Sequence, residues 1–346
     1  MTTNNFVAAI IGYGSIGHTH SRGYLADSRV KRLAVASPQP KPEENADPRL
    51  VSYSSNIEML ETERPEAVSI CVPHDRHLPV SQEVARYGVG RGGSVRYVLL
   101  EKPMAMNEPE AIEAEAALEE AGIRLMLAHS LRFCTPFRRL AEMLNAPGAP
   151  LGQPLLLLGN YLMYKDYRVY PEWKRKAAQA GGGVLLRDGI HILDAILRSA
   201  GSEPVEVWGH SALLANEAEV EDTFLGGIRF ANGALAQLNY SNVGRADNQI
   251  SLIVHTPLAT LKANLEQLQV WTQAVANGVS LPPASTHPEG VTEPAQGDLW
   301  MNQMAHFIDC VAQNLQPEVT GADGRLVIKV IDRLYEAARQ GRHLAI

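Results

Sequence analysis

A glycine-paced turn, Gly12-x-Gly14-x-x-Gly17, joins the apolar run Phe6-Val-Ala-Ala-Ile-Ile to a helical pattern that opens at Ser15-Ile16. An unbroken apolar run of this length suits a strand buried on both faces of a parallel sheet. Gly12 permits the tight turn. Gly14 lets backbone approach a pyrophosphate, and Gly17 lets helix and strand pack closely. The amides at the helix N-terminus then face the phosphates. A second strand, Arg32-Leu-Ala-Val-Ala-Ser37, ends about 20 residues on, where such a unit holds its ribose. The residues expected at a dinucleotide are therefore Gly12, Gly14, Ser15, Ile16, Gly17 and Ser37. The bland alternative is a strand–turn–helix with no ligand.

A length of 346 residues suggests two domains, placed at 1–128 and 129–346. The net charge of −7 argues against nucleic acid as a general partner. No apolar run reaches membrane-spanning length, and Met1-Thr-Thr-Asn-Asn5 lacks the basic and apolar regions of a secretory leader. Cys71, Cys134 and Cys310 are far apart and odd in number. They fit no metal spacing and no disulfide framework, and they suit a reducing cytoplasm.

Up to about residue 128, strand and helix patterns alternate. Strands are expected at 50–53, 67–72, 97–100 and 124–128, and helices at 56–60, 79–87 and 108–121, with a polar loop at 38–49 and a glycine-rich one at 88–94. Alternation of this kind makes a doubly wound parallel sheet. The remainder changes character. Helices are expected at 136–144, 189–199, 299–314 and 322–340, and extended runs at 155–164, 249–254 and 258–264. A hairpin is expected over 222–242, around Asn232-Gly233. The expected fold class is α/β: an N-terminal Rossmann sheet, then an α/β domain with a large, open, mostly antiparallel sheet and helices on one face.

Ligands of open α/β sheets bind beyond the carboxyl ends of the strands. Two motifs fall there: Val72-Pro73-His74-Asp-Arg-His77 and Glu101-Lys102-Pro103. A third, Gly181-Gly-Gly183-Val-Leu-Leu-Arg187-Asp188-Gly-Ile-His191-Ile-Leu-Asp194, lies in the second domain.

With these motifs in order, the chain resembles the Gfo/Idh/MocA oxidoreductases over nearly its whole length. Further markers are His20, Met104-Ala105, His129…Arg132-Phe133, Phe307-Ile-Asp-Cys and Thr320-Gly-Ala-Asp323-Gly. The resemblance implies NAD(P)-dependent redox at a hydroxyl of a sugar, cyclitol or sugar derivative. It also implies that Lys102 contacts both the nicotinamide ribose and the substrate, and that the open sheet is buried between subunits in a homodimer or homotetramer.

Oxidising an alcohol requires removal of the hydroxyl proton as hydride leaves the carbon. A lysine can take that proton only where burial or nearby positive charge lowers its pKa from ~10.4. Lys102 at a strand end beside Glu101 is the first candidate; a surface lysine is the alternative. His191 is the second, with Asp188 and Asp194 flanking it at i−3 and i+3 on a helical face. The family places an acid four residues before this histidine, where this chain has Arg187. Either Asp188 takes the acidic role, or Arg187 faces the site and binds an anionic or polyhydroxylated substrate. Val72, Pro73, His74, His77, Glu101 and Lys102 are expected along the cofactor edge, His77 also as a packing residue. Arg132, Tyr161, Tyr164, Trp173 and Lys174 are candidate pocket walls. An uncharged Ser37 with Lys41 nearby leans mildly to NADP over NAD. Two other readings compete. One is an enzyme whose tightly held cofactor is reduced and reoxidised within a turnover, giving epimerisation, dehydration or glycoside cleavage. The other is a ligand sensor on the same fold.

Overall fold

The structure is a computed structural model that describes residues 5–38, 47–148, 150–245, 248–272 and 291–346. The chain divides into two compact units. One holds Met1–His129 and Trp300–Ile328, the other Ser130–Leu299 and Lys329–Ile346.

In the first unit, β1 (Phe6–Ile11), α1 (Ser15–Ala26), β2 (Val30–Ala36), β3 (Leu50–Tyr53), α2 (Asn56–Glu63), β4 (Ala67–Ile70), α3 (His77–Ala85), β5 (Tyr97–Leu100), α4 (Glu108–Glu120) and β6 (Arg124–Leu127) alternate. The strands lie in the order β3-β2-β1-β4-β5-β6, every pair parallel. Strands β4 and β5 are buried at every residue, which is why their sequences read as unbroken apolar runs. Helix starts follow local chemistry. Ser55 accepts from the Glu58 amide ahead of α2, and Asn107 accepts from the Glu110 amide ahead of α4. The strand order reverses between β1 and β4, and that switch point is where such sheets place a ligand.

The second unit holds α5 (Thr135–Leu144), β7 (Leu156–Leu162), the single turn α6 (Ala177–Ala180), α7 (Ile190–Ser199), β8 (Pro204–Ala212), β9 (Thr223–Phe230), β10 (Leu235–Ser241), β11 (Gln249–His255), β12 (Ala259–Asn264), β13 (Gln267–Thr272) and β14 (Val291–Pro294). With β15 (Leu344–Ala345) they form a nine-stranded sheet ordered β14-β13-β12-β11-β7-β10-β9-β8-β15. Its neighbours run antiparallel except β7 and β10. The expected hairpin is β9–β10, with Gly233 at φ +87° in its turn. Helices α5 and α7 pack on one face of the sheet. Gly159 in β7 makes room for α7: a Cβ there would come within 2.6 Å of Ile196 and 2.7 Å of Ile192.

Two features depart from the sequence reading. The helix expected at 189–199 is entered through a π-helical turn, Leu185–Gly189. And the chain returns to the first unit near its end, so 129–346 is not one block. Helix α8 (Leu299–Gln313) sets Phe307 edge-on to Tyr24 and Tyr97, with ring centroids 6.4 Å apart in both cases. Gly23 admits Met304 against α1, and Arg29 pairs with Asp309 at 2.8 Å. The last long helix, α9 (Gly321–Gln340), begins in the first unit and ends in the second.

Candidate functional site

The candidate functional residues fall into two groups, one in each unit. In the first unit, Gly12 follows β1 with φ +92°, a conformation that favours glycine. Its amide donates to the Ala36 carbonyl at 2.9 Å, and the Cys71 amide donates to Ile11 at 2.8 Å. These bonds bring the ends of β1, β2 and β4 together at the switch point. A Cβ on Gly12 would strike the Cys71 carbonyl, and one on Gly17 the Gly12 carbonyl, so neither position admits a side chain. Gly14 differs: a Cβ there would meet nothing within 4 Å. It is the N-cap of α1, no side chain caps that helix, and its first turn carries no acid. An open cradle before uncapped amides, at Gly14, Ser15, Ile16 and Gly17, fits a dinucleotide pyrophosphate. Ser37 follows β2 at the same edge, its amide bonded to the Tyr53 carbonyl at 3.1 Å. Lys41 lies outside the described residues.

The other two strand ends are locked to each other. His77, fully buried, reaches the Val72 carbonyl at 3.0 Å with Nε2 and the Pro103 carbonyl at 2.7 Å with Nδ1. Burial pushes its pKa down against the pull of these carbonyls. His77 thereby clamps the Val72-Pro73-His74 loop to the Glu101-Lys102-Pro103 loop. His74 is buried edge-on to it, at 5.9 Å between centroids. Glu101 is held from two sides: its Oε1 lies 3.1 Å from His20 Nε2, and its Oε2 accepts the Lys102 amide at 3.1 Å. Burial works to raise the Glu101 pKa. The His20 hydrogen bond and the charges of His20, Lys102 and His77 outweigh it and hold the carboxyl below its ordinary value. On the far side of His20, Nδ1 lies 3.5 Å from the Cys71 thiol. Burial, then the Glu101 charge, pushes that thiol well up, so it stays protonated. Lys102, half-buried, is thus set at the end of β5 on a fixed carboxylate.

In the second unit the π-helical turn carries Arg187 and Asp188, both buried. Arg187 Nε donates to Asp188 Oδ2 at 3.1 Å, and its terminal nitrogen donates to Asn242 Oδ1 at 3.0 Å. Its guanidinium carbon stands 4.3 Å from the Tyr167 ring centroid and 5.3 Å from that of Tyr170. Lys165 donates to Asp188 Oδ1 at 2.6 Å and to the Tyr161 hydroxyl at 3.2 Å. Burial and then the Asp188 charge raise the Tyr161 pKa. Lys174 lies over Tyr170 and Trp173, its Nζ 5.1 and 5.5 Å from their ring centroids. Burial, then the charge of Arg187, lowers its pKa.

The turn owes its place to a half-buried carboxylate. Glu221 accepts the Gly183 amide at 2.7 Å, the Leu185 amide at 3.0 Å and the Tyr335 hydroxyl at 2.7 Å. A Cβ on Gly183 would collide with the Glu221 backbone, and one on Gly189 with the Tyr240 ring. The Gly181-Gly-Gly183 entry is therefore a seat for the turn on its neighbours.

Of the expected pocket walls, Tyr161, Trp173, Lys174 and Arg187 join this cluster. Two do not. Arg132 is fixed on Asp194 in α7 by bonds of 2.6–3.2 Å. Tyr164 is 39% exposed, and its hydroxyl accepts from Arg245 at 3.1 Å. His191, half-buried, opens α7 one residue after its start. Sequence reasoning missed Lys165, Tyr167, Tyr170, Asn242 and Glu221. The crowding of tyrosines and cations in Tyr161-Leu-Met-Tyr-Lys-Asp-Tyr-Arg-Val-Tyr170 was the available signal for three of them.

Comparison with known proteins matches residues 6–129 to an oxidoreductase family with an NAD-binding Rossmann fold, and residues 137–262 to the GFO/IDH/MocA C-terminal domain. The 1,5-anhydro-D-fructose reductase of Ensifer adhaerens is 28% identical over 275 residues, 79% of this chain and 77% of its own. The levoglucosan dehydrogenase of Pseudarthrobacter phenanthrenivorans is 25% identical over 386 aligned positions, covering 96% of each chain. A solved levoglucosan dehydrogenase in complex with NADH and L-sorbose shares the fold, with a TM-score of 0.82 at 23% identity over 99% of each chain. Among the described residues, no helix is long and apolar enough to cross a membrane. None of their His, Cys, Asp and Glu side chains are grouped to hold a metal ion.

Proposed function

The chain belongs to the GFO/IDH/MocA oxidoreductase family, and from that premise we propose that it moves hydride between NAD(P) and a hydroxyl-bearing carbon of a sugar, cyclitol or sugar derivative. The observation that carries the reading is the uncapped α1 N-terminus at the switch point, with Glu101-Lys102 fixed on a nearby strand end. A bound nicotinamide supplies the hydride acceptor or donor. Lys102 takes the proton of the reacting hydroxyl, or returns it in reduction. Glu101, held by His20, sets the backbone from which Lys102 extends. His191 holds the substrate hydroxyl, and Asp188 supplies the acid that the family carries one residue earlier. Gly12, Gly14, Ser15, Ile16, Gly17, Val72, Pro73 and His74 border the cofactor. Ser37 stands at the adenosine ribose, where an uncharged hydroxyl repels no 2′-phosphate, and the lean is to NADP(H).

The relatives named above act on an anhydro-sugar ketone and on levoglucosan, which favours a carbohydrate-like substrate here. The face of the second sheet that α5 and α7 do not cover pairs the protein with copies of itself. Binding of NADH and NADPH, followed by cofactor reduction with a sugar and cyclitol panel, tests the reading. Failure to bind either nucleotide overturns it. Cofactor that survives dialysis and is reoxidised within each turnover would replace it with epimerisation, dehydration or glycoside cleavage.

A further inference from the structure

We infer that the second unit is built to take an acidic carbohydrate, a sugar or polyol derivative bearing a carboxylate or phosphate. The inference rests on the oxidoreductase reading above and narrows its substrate class. Its ground is an imbalance of charge. Arg187, Lys165 and Lys174, three cations, gather about one cluster of tyrosines against two carboxylates, Asp188 among them and Glu221 behind Tyr167, the latter taken up by the Gly183 and Leu185 amides and the Tyr335 hydroxyl. Asp188 is already bound on one oxygen by Lys165 and on the other by Arg187. No described carboxylate meets the Lys174 ammonium, which rests on the faces of Tyr170 and Trp173.

Such an arrangement costs stability. Like charges in a partly desolvated place repel, and aromatic faces attract a cation without neutralising it. The mutual effect is visible at Lys174, whose pKa burial and the charges of Arg187 and Lys165 push down against the pull of Asp188. A neutral polyol would leave this excess uncompensated. An anion would pair with it by charge-assisted hydrogen bonds, the strong kind. The lining points to a carbohydrate as the anion's carrier. Tyr161, Tyr167, Tyr170 and Trp173 give broad apolar faces with hydroxyl or N–H tips, the usual build of a small-molecule site. Lys165, Tyr170, Trp173 and Lys174 are half-buried, so the cluster is not sealed within its own unit.

The test is calorimetric titration of the full chain, with and without NADH, by D-glucuronate, D-galacturonate, D-glucose 6-phosphate, D-glucose and D-galactose. At least one acid should bind about tenfold or more tighter than its neutral counterpart. The uronates against the phosphate decide which anion is meant. Raising salt should weaken the acid and spare the neutral sugar. Lys174→Met should remove most of the preference, and Lys174→Arg should keep it. Neutral sugars binding as tightly as the acids, no binding of any probe, or an unchanged preference in Lys174→Met would each overturn the inference. NADH titration keeps the two readings apart: NADH binding without acid preference leaves the oxidoreductase standing, and acid preference without nucleotide binding does the reverse.

Discussion

Arg187 and Asp188, adjacent in sequence, are bonded side chain to side chain, with Nε 3.1 Å from Oδ2. On a regular α-helix they would point about 100° apart, and one would turn from the site as the other entered it. Here the two side chains meet on the π-helical turn over Leu185–Gly189. Acid and base enter one cluster together, and Lys165 holds the acid's second oxygen.

Their variants should therefore not behave independently. Asp188→Asn unties both Arg187 and Lys165; turnover should fall by about 10- to 100-fold and the acidic limb of the pH–rate profile should shift. Arg187→Ala should chiefly raise KM, most for acidic substrates. Because they share a bond, the double variant should lose less than the sum in free energy. Additive losses in steady-state kinetics would mean that the two act in separate places.

Lys102→Ala should lower turnover by about 100-fold or more while cofactor affinity changes less, because the proton acceptor is lost and the pyrophosphate cradle is not. Steady-state rates beside NADH titration read both quantities. A folded variant with near-native turnover would sink the assignment.

Ser37 ends β2 beside the glycine turn. In Ser37→Asp a carboxylate pairs with ribose hydroxyls and repels a 2′-phosphate, so the ratio of kcat/KM for NAD over NADP should rise by about tenfold or more. An unmoved ratio would place the ribose elsewhere.

The first unit was legible because its signals are local. A buried parallel strand reads as an apolar run, and Gly12, Gly14 and Gly17 do their work within one turn of chain. The strong Asn232-Gly233 signal likewise placed the β9–β10 hairpin. The second unit was less so. Strand β8 is hard to read because its alternation is broken by polar and glycine residues, as at Gly209 and His210, and its edge partner β15 lies far along the chain, whereas β13, Gln267–Thr272, alternates plainly and is missing from the sequence reading. The π-helical turn is set by Glu221, 36 residues beyond the Leu185 amide it holds. A helical wheel drawn from the sequence has no knowledge of that clamp or of the π-helical turn it holds. Nothing local shows, likewise, that Asp194 is the partner of Arg132.

Glu101 gives a pH prediction with a definite sign. Its folded pKa lies below the ordinary carboxylate value, so its stabilisation is complete above about 4.5 and is lost as pH falls through the folded value. Glu101→Gln weakens the bond to His20 and should cost about 1–3 kcal/mol at pH 7. That difference from the native chain should shrink on acidification below about pH 4.5. Urea unfolding at several pH values reads it, and a gap that widens with acid would contradict the assigned direction.

The face of the nine-stranded sheet away from α5 and α7 is the one we propose for assembly. Leu156 and Leu235 are partners across β7 and β10, 37% and 51% exposed, and Leu225 on β9 is 48% exposed on the same face. Between them runs a chain of side-chain amides, in which Asn239 donates to Asn160 at 3.1 Å and Asn160 to the Ser251 hydroxyl at 3.3 Å. A face with apolar residues around satisfied amides, on a sheet this wide, is a liability if left in water and suits a self-complementary contact. Light scattering after size exclusion should give a dimer or tetramer at micromolar concentration. Leu235→Glu places a charge beside Leu156 and, across a two-fold axis, beside its own copy; it should shift the protein toward monomer, with the far-ultraviolet circular dichroism unchanged. A native chain that is monomeric at those concentrations would remove this face from the account of assembly.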